Sequence, residues 1–547
     1  MSAYYMVNAS SSSASSPDAA PLSASLGEAC ERWPQRSALT HRGRTLTYSE
    51  LWERILALAW SYRALGIRPG DRVLCQLPVC PEHVIAIGAA WACGASHVGA
   101  DKDLTGPELS ALVARTQAAA LVFAPPEDVA DPLGPLRIVR AAHPSLVAIL
   151  EGHPGEGGEH ALGALLASPP PEPLPPAPSG PEDDAPLLLT SGTTGSPKIV
   201  VETLPALWGK MELFAAGLVP GPHDVHLMYL PICHVFGLKL TLMALASGGR
   251  VVLLDRFSPQ AALNLARAER VTILPGTPTH LTLLLGQLRD HPGALDSVRA
   301  LAFAAAPPPP ALVEALYDRL DVELMHVYGC SEGFVTLTTD RAEIRHGSAG
   351  RTVFRGPPGT PATGSVAILD PGRPAFLAPG EIGEVAYGAA TPVRYWDAPA
   401  VATDGWYRTG DLGWLDDDGC LTVSGRLGDV VNRGGLKVAC AEIEAALAGQ
   451  PGVAACAVIP APDPVLGEAI CACVVASGDR SPILAEVRMG LAQRPARHKL
   501  RDALCVLDAL PRSRFGKLDR AALAALVVSQ DRPRERLRAA QQPIGSQ

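Results

Sequence analysis

This sequence of 547 residues lacks long hydrophobic runs, paired cysteines and an excess of positive charge. No stretch of about 18 uncharged apolar residues occurs, so no transmembrane helix is predicted. The 12 cysteines include no CxxC pair and no Cys/His cluster at zinc spacing, which favours reduced, buried thiols over disulfides or a zinc site. Because the net charge is −9, the composition argues against nucleic acid as a partner.

The amino-terminal segment also lacks the features of a secretory signal. Residues 9–16 are only serine and alanine, with no basic stretch before them and no apolar core. Residues 1–24 are rich in Ser, Ala and Pro and are predicted to be disordered. We therefore expect a cytoplasmic protein without membrane insertion, as a monomer or a homodimer.

Glycine and proline, by contrast, number 52 each, which indicates many turns and structured loops. Short apolar strands alternate with periodic helices, and this alternation predicts an α/β fold with a mostly parallel sheet. Strands are predicted at 71–77, 187–189, 251–254, 271–274, 300–303, 454–459 and 469–475. Helices are predicted at about 50–65, 83–93 and 441–447 and from residue 482. The predicted fold class is α/β, with a large N-terminal domain of mixed, mostly parallel sheets, a small β region at about 347–425, and a small α+β C-terminal domain.

The strongest local signal is Thr190-Ser191-Gly192-Thr193-Thr194-Gly195-Ser196-Pro197-Lys198, directly after a predicted strand. Glycines let backbone N–H groups approach an anion, hydroxyl groups add donors, and Lys198 adds positive charge, which suits a triphosphate. The order of a Walker loop is missing. From composition alone, a plain flexible loop remains an alternative.

This segment and four later ones resemble the motifs of the adenylate-forming superfamily of acyl-CoA synthetases, peptide-synthetase adenylation domains and luciferases. The later motifs are Tyr328-Gly329-Cys330-Ser331-Glu332, Trp406-Tyr407-Arg408-Thr409-Gly410-Asp411, Gly425-Arg426 through Glu442-Ile443-Glu444, and Pro511-Arg512-Ser513-Arg514-Phe515-Gly516-Lys517. The resemblance covers about 46–520. It implies domains at 25–424 and 425–528, the second mobile. The charged, polar composition of residues 529–547 predicts a loose tail.

The resemblance implies an enzyme that activates a small acid, aryl in our prediction, as an acyl-AMP, releases pyrophosphate and transfers the acyl group to CoA. The residues implied for ATP are Thr190, Ser191, Gly192, Thr193, Thr194, Gly195, Lys198, Ala304, Ala305, Tyr328, Gly329, Ser331, Asp411 and Arg426. Among them, Tyr328 and the turn at Ala304 and Ala305 are implied for the adenine, Asp411 for the ribose hydroxyls, and Arg426 for the ribose or a phosphate. Mg²⁺ would be held by Glu332 with Thr193, since Mg²⁺ favours few carboxylates together with phosphate oxygens. Without the resemblance, Glu332 would be read as a solvated loop residue, Tyr328 as core and Asp411 as a turn residue.

The implied catalytic residues are Lys517, His234 and Glu332. Lys517 would relieve the repulsion between the attacking carboxylate and the phosphate; its alternative is a surface lysine. His234 would be the gate residue of the acid pocket, or else a structural histidine. The pocket is predicted from His234, Phe236, Gly237, Lys239 and Cys330. A charged Lys239 is costly in its apolar segment unless it snorkels or meets an anion, so we expect it to bind an anionic or polar substituent.

The sequence departs from the family pattern near the domain junction, where Gly428 is the predicted hinge and Cys440 replaces a proline. Glycine accepts large dihedral changes, so rotation stays feasible there. Three alternatives remain open: a relative that adenylates nitrite for an aromatic amine, a silent nucleotide-binding protein, and an adenylation domain that loads a carrier expected after Arg520.

Overall fold

The computed structural model describes residues 22–23, 25–127, 130–152, 159–168, 184–189, 198–306, 308–332, 335–351, 365–373, 375–388, 394–397, 405–433, 436–448, 450, 452–463, 467–476, 503–512, 518–529 and 535–536. The chain divides into two compact units, residues 1–365 with 387–407 and residues 366–386 with 408–547. The boundary predicted at 425 remains a prediction.

The helices of the described residues are, in chain order, α1 (Leu26–Arg32), α2 (Tyr48–Ala64), α3 (Pro81–Ala92), α4 (Gly106–Thr116), α5 (Gly134–Ala142), α6 (Leu162–Ala167), α7 (Leu204–Leu218), α8 (Val235–Ala246), α9 (Pro259–Ala268), α10 (Pro278–Gln287), α11 (Pro310–Arg319), α12 (Arg341–Arg345), α13 (Cys440–Leu447) and α14 (Arg520–Ser529). None of these described helices is both long enough and apolar enough to cross a bilayer.

The strands are β1 (Ser37–His41), β2 (Arg44–Thr47), β3 (Arg72–Gln76), β4 (Ser96–Ala100), β5 (Ala120–Phe123), β6 (Val147–Leu150), β7 (His160–Ala161), β8 (Asp184–Leu189), β9 (Ile199–Thr203), β10 (Val225–Met228), β11 (Arg250–Leu253), β12 (Ile273–Gly276), β13 (Ala300–Phe303), β14 (Glu323–Gly329), β15 (Val335–Thr338), β16 (Ser348–Arg351), β17 (Val366–Leu369), β18 (Gly383–Gly388), β19 (Arg394–Tyr395), β20 (Trp406–Leu415), β21 (Cys420–Arg426), β22 (Val430–Arg433), β23 (Leu436–Ala439), β24 (Val453–Asp463), β25 (Gly467–Ala476), β26 (Ala503–Leu507) and β27 (Glu535–Arg536).

The first unit contains two mixed sheets, in which parallel pairs predominate. One has the order β16-β15-β14-β13-β12-β10-β11-β1-β2, with antiparallel pairing only of its outer strands among the described residues. The other has the order β19-β9-β8-β4-β3-β5-β6-β7, and β9 and β19 join it antiparallel. Its buried core includes Leu74, Val98, Leu121 and Ile149. The predicted fold class is confirmed.

The local sequence explains where the elements begin. Thr47 starts α2 through a capping box: its hydroxyl accepts from the Glu50 backbone N–H, and the Glu50 carboxylate accepts from the Thr47 N–H at 2.7 Å. The predicted helix at 50–65 therefore begins two residues earlier. The predicted strand 300–303 matches β13, whereas the strand predicted at 271–274 lies two residues later, as β12.

The second unit contains the antiparallel strands β20 and β21, a short 3₁₀ turn at Leu427–Asp429, and a sheet built on β22, β23, β24, β25, β26 and β27. The predicted strands at 454–459 and 469–475 are present as β24 and β25, and the predicted helix at 441–447 as α13. Arg520 at the start of α14 pairs with Asp429 at 2.8 Å and with Glu444 at 2.7 Å. The helix predicted from residue 482 lies outside the described residues.

Candidate active site

The carboxyl ends of four neighbouring parallel strands carry most of the described motif residues. The strands β10, β12, β13 and β14 lie side by side and run in the same direction. His234 follows β10, Ala304 and Ala305 follow β13, and Glu332 follows β14. Because parallel strands end at the same edge of a sheet, these three segments lie along that edge, where ligands bind in open α/β sheets.

Glu332 lies in a cluster of tyrosines. The Tyr395 hydroxyl donates to Glu332 Oε1 at 3.1 Å, and the Tyr387 hydroxyl donates to the Glu332 carbonyl oxygen at 2.7 Å. Tyr407 lies 3.2 Å from the Tyr395 hydroxyl and packs against the Tyr387 ring. Burial raises the pKa of each of these tyrosines above its ordinary value. Tyr387 and Tyr395 therefore act as hydrogen-bond donors that hold Glu332 in place.

Lys198 shares Tyr395 with Glu332. The Lys198 Nζ lies 5.1 Å from the Tyr395 ring centroid, in a cation–π contact. Tyr395 belongs to β19, which pairs with β9 directly after Lys198, with Tyr395 opposite Val200. The structure therefore brings together the lysine of one predicted motif and the carboxylate of another. Thr190, Ser191, Gly192, Thr193, Thr194 and Gly195 lie outside the described residues.

The predicted gate residue, His234, is the N-cap of α8 and pairs with Asp101. His234 Nε2 lies 3.5 Å from Asp101 Oδ2. Burial by itself would lower the pKa of His234, but Cys233 and Asp101 raise it to about 10. The imidazole is therefore positively charged at neutral pH, which suits a site that admits a carboxylate.

Two glycines allow the chain to fold tightly around His234. A Cβ at Gly99, in β4, would lie 2.7 Å from the carbonyl oxygen of Cys233. A Cβ at Gly237 would overlap the carbonyl oxygen of Pro231. The backbones of β4 and of the loop before α8 are therefore in direct contact, and only glycine fits at both positions.

The other predicted pocket residues divide between the start of α8 and the end of β14. The Phe236 ring packs edge-on against Phe214, with centroids 6.1 Å apart. Cys330, directly after β14, is half-buried. Lys239 is only 1% exposed, so it bears the cost of burying a charge that its apolar sequence segment indicated.

The anion that Lys239 meets within the protein is Glu202. The Lys239 Nζ lies 3.4 Å from Glu202 Oε1, and the Lys210 ammonium contacts the same oxygen more closely. Burial pushes the pKa of Glu202 upward, but Lys239 and Lys210 outweigh it and hold that pKa below its ordinary value. Burial lowers the pKa of Lys239 to about 8, against the attraction of Glu202.

The predicted adenine-binding residues occupy the turn after β13 and the end of β14. Ala305 has a φ of +78°, a left-handed conformation that favours glycine, whereas Ala304 is buried in an ordinary conformation. Tyr328 and Gly329 are the last residues of β14, opposite Thr336 and Val335. Ser331 follows directly, beside Glu332.

In the second unit, Asp411 and Arg426 lie opposite each other on β20 and β21. Arg426 Nε lies 3.0 Å from Asp411 Oδ1. Glu384 supports the backbone directly before Asp411, because its carboxylate accepts from the Gly410 N–H at 3.2 Å and pairs with Arg408 at 2.9 Å. The carboxylate that is predicted to bind the ribose therefore lies beside the arginine of the same predicted site.

The predicted hinge and the predicted catalytic lysine of the C-terminal domain are less completely described. Gly428 lies within the 3₁₀ turn at Leu427–Asp429, directly before the residue that pairs with Arg520. Lys517 lies outside the described residues. Their roles therefore remain predictions.

The donor chemistry distinguishes two candidate cation sites. Glu332 offers a single carboxylate at the strand edge, the kind of donor that Mg²⁺ combines with phosphate oxygens. Asp101, Cys233 and His234 offer a carboxylate, a thiol and an imidazole whose ligand atoms lie within 4.8 Å of one another. That second set suits a softer ion, and its imidazole is already paired with Asp101.

Sequence reasoning missed Tyr395, Asp101, Glu384 and Glu202. Each is separated by many residues from the side chain it contacts, so local spacing does not reveal the pairing. Tyrosine is scarce in this sequence, which has only 10, and that scarcity could have drawn attention to Tyr395. For Lys239, the cost of burial predicted a counter-ion without naming Glu202.

Known proteins resemble this chain over nearly its whole length. The family described as AMP-binding enzyme matches residues 26–394, and the AMP-binding enzyme C-terminal domain matches residues 442–517. A 2-hydroxy-7-methoxy-5-methyl-1-naphthoate–CoA ligase of Streptomyces carzinostaticus is 34% identical, covering 92% of each chain. A feruloyl-CoA synthase of an Amycolatopsis species is 32% identical, covering 89% of this chain and 94% of the relative.

A solved structure has the same fold. ATP-bound MatB from Rhodopseudomonas palustris superposes with a TM-score of 0.78, over 93% of this chain and 99% of that one. Its sequence identity is 24%, so the likeness concerns the fold alone.

Proposed function

The chain belongs to the AMP-binding enzyme family and is an adenylate-forming ligase, and we propose that it activates a compact aromatic carboxylic acid with ATP and passes the acyl group to CoA. The relatives support this choice, since a naphthoate–CoA ligase and a feruloyl-CoA synthase are named for aromatic acids and CoA. We propose the cytoplasm as the compartment, because both ATP and CoA are available there.

One structural observation carries the proposal: Tyr395 joins Lys198 and Glu332 at the edge of the sheets. Its ring faces the Lys198 ammonium, and its hydroxyl holds the Glu332 carboxylate. An ammonium group and a carboxylate held by one tyrosine suit a nucleotide's phosphate chain and the cation that accompanies it. Glu332 would hold Mg²⁺ there, which would neutralise part of the phosphate charge.

The proposed reaction joins two anions, so positive side chains are its main requirement. The acid's carboxylate attacks the α-phosphorus of ATP, and the bond from that phosphorus to pyrophosphate breaks. His234, charged beside Asp101, would attract and orient the carboxylate. Lys517 would stabilise the charge that builds up on the α-phosphate oxygens in the transition state.

The second step is proposed to follow a rotation at Gly428. Withdrawal of Lys517 would open the acyl-AMP to the CoA thiol, which attacks the carbonyl carbon and releases AMP. Asp411 and Arg426 would hold the ribose through the first step. The Arg520–Asp429 pair supports a hinge at this position, because it ties the residue after Gly428 to α14.

The proposal is tested by measuring pyrophosphate release from ATP with a panel of acids, each with and without CoA. The panel contains benzoate, 2-naphthoate, ferulate, malonate and nitrite, and nitrite is also tested with an aromatic amine. We expect release with aromatic acids, an acyl-AMP mass in the absence of CoA, and a thioester in its presence.

Other outcomes would identify the rival functions. Release that needs nitrite and an aromatic amine would replace the proposal with the diazo-forming reaction. Acyl-AMP that forms but never yields a thioester would refute CoA as the acceptor. Absence of release with every substrate, in a protein that still binds ATP, would favour the silent nucleotide-binding protein.

A further inference from the structure

We infer that Lys239 and Glu202 form the far end of the acid pocket and select an aromatic acid that carries a hydroxyl group remote from the carboxyl group to be adenylated. This inference rests on the proposed function, because it assigns a substrate class to the same site. It begins from three charged side chains on three elements: Glu202 on β9, Lys210 on α7 and Lys239 on α8.

The three side chains leave one positive charge without a full counter-charge. Lys210 is the closer partner of Glu202, and Lys239 lies 3.4 Å from the same Oε1 atom. Two ammonium groups therefore share one carboxylate, and Lys239 and Glu202 are almost completely buried. Burying a charge with incomplete pairing is expensive, which suggests that a ligand completes the cluster.

Two atoms of this cluster lack hydrogen bonds. Within the described part of the chain, neither Lys239 Nζ nor Glu202 Oε2 has a hydrogen-bond partner. The first is a donor and the second is an acceptor. A phenolic hydroxyl satisfies both, because its oxygen accepts from Lys239 while its O–H donates to Glu202. A second carboxylate would satisfy only Lys239 and would be repelled by Glu202.

Lys239 of this cluster lies on α8, the helix that begins at the proposed gate residue His234. Lys239 is five residues beyond His234, which corresponds to roughly 7.5 Å along α8. Lys239 interacts electrostatically with Cys330, and Glu202 with Tyr387, whose hydroxyl binds Glu332. The offset along α8 is about the length of an aromatic ring with one substituent, so an acid held at His234 would reach Lys239 with its far end.

The course of β9, the strand that carries Glu202, supports the same placement of the cluster relative to the nucleotide. Side chains alternate along a strand, so Val200 and Glu202 lie on one face of β9, and Lys198 directly precedes the strand. Lys198 is exposed at the end near the proposed phosphates, and Glu202 is buried deeper along the strand. One face of β9 therefore runs from the nucleotide end of the site to the buried cluster.

The test compares acids that differ only in a hydroxyl group: 6-hydroxy-2-naphthoate with 2-naphthoate, and 4-hydroxybenzoate with benzoate. We expect the wild-type enzyme to favour the hydroxy acid in kcat/KM by roughly 10- to 100-fold, as for hydrogen bonds to charged groups. The methoxy counterpart accepts a hydrogen bond but cannot donate one, so it should fall between the two.

The diagnostic variant is Lys239→Met, which keeps the length of the side chain and removes its charge. We expect it to raise the KM of the hydroxy acids until the preference falls below about threefold, with the KM of ATP unchanged. Lys210→Met is the matched variant, since it also removes one lysine from Glu202 but should keep the preference.

The outcomes separate this inference from the proposed function. Equal use of plain and hydroxy acids by the wild-type enzyme would overturn the inference while adenylation stands. Equal losses with all acids in both lysine variants would do the same, because they would indicate a purely structural ion cluster. Absence of pyrophosphate release with any aromatic acid would overturn both proposals.

Discussion

His234 Nε2 lies 3.5 Å from Asp101 Oδ2, and this pair joins the loop after β10 of one sheet to the end of β4 in the other. Asp101 also accepts a hydrogen bond from the Asp103 backbone N–H at 2.9 Å, so its carboxylate is fixed from its own loop. The proposed gate residue is therefore positioned by a carboxylate that no sequence motif includes.

Asp101→Asn should flatten the pH dependence of stability. The pKa of His234 is raised to about 10 in the folded protein, against about 6.5 for an unperturbed histidine. Cys233 and Asp101 both contribute to this rise, so the share of the stabilisation that Asp101 supplies is complete below about pH 6.5 and is lost as the pH rises towards 10. Urea unfolding at a series of pH values should show D101N to be less stable at the acid end of this range, with a smaller difference at the alkaline end.

Asp103→Asn is the control for this prediction, because Asp103 is exposed and pairs only with the exposed Lys102 among the described ion pairs. The control should keep the wild-type slope. An unchanged slope in D101N would contradict the assigned role of the pair.

Tyr395→Phe should weaken the use of magnesium and ATP without changing recognition of the acid. The substitution removes the hydroxyl that donates to Glu332 and keeps the ring that faces Lys198. Loss of one hydrogen bond to a carboxylate should lower kcat/KM for ATP roughly tenfold. Pyrophosphate release measured against Mg²⁺ concentration should show a higher requirement, with the KM of the acid within about twofold.

Tyr317→Phe provides a matched control, since the Tyr317 hydroxyl has no hydrogen-bond partner in the described part of the chain. It should behave as wild type in the same titration. An equal loss in both variants would indicate that Tyr395 has no special role.

Lys517→Ala should abolish most of the first half-reaction. A positioned ammonium that stabilises transition-state charge contributes roughly 100-fold or more, so acid-dependent pyrophosphate release should fall by at least that factor. Transfer from added acyl-AMP to CoA should persist, because the proposed rotation withdraws this residue. Lys102→Ala, on the surface, is the control, and full-speed release in K517A would refute the mechanism.

Ala305→Gly should stabilise the protein, although it removes a methyl group. Holding a non-glycine residue at a φ of +78° costs about 1–2 kcal/mol, and the greater freedom of glycine in the unfolded chain offsets about 0.4–1 kcal/mol of that gain. A rise in Tm is therefore expected. Ala304→Gly, in an ordinary conformation, should lower Tm, and a lower Tm in both variants would disprove the strain at Ala305.

The sequence was sufficient for the fold class because the fold depends on patterns that are local. Alternating apolar strands and periodic helices specify β13 and α2 within a residue or two. The start of α2 was predicted two residues late, because its capping depends on a side-chain exchange between Thr47 and Glu50.

The site was predictable only where function is carried by contiguous motifs. Glu332 and Lys198 stand in such motifs, but their shared contact with Tyr395 arises from the pairing of β19 with β9. Likewise, the burial cost of Lys239 predicted an anion, whereas Glu202 as its partner follows from the packing of distant elements. Long-range partners of this kind leave no periodic signal in one sequence.

The close approach of Gly99 to Cys233 separates two properties that would otherwise be linked: the position of the His234 imidazole and the choice of acid. Since main-chain packing, together with Asp101, sets the location of the imidazole, the proposed far end of the acid pocket is free to change without disturbing it. Descendants of this protein could therefore acquire new acids through exchanges at Lys239 or Glu202 and still present each carboxylate to the nucleotide in the same orientation.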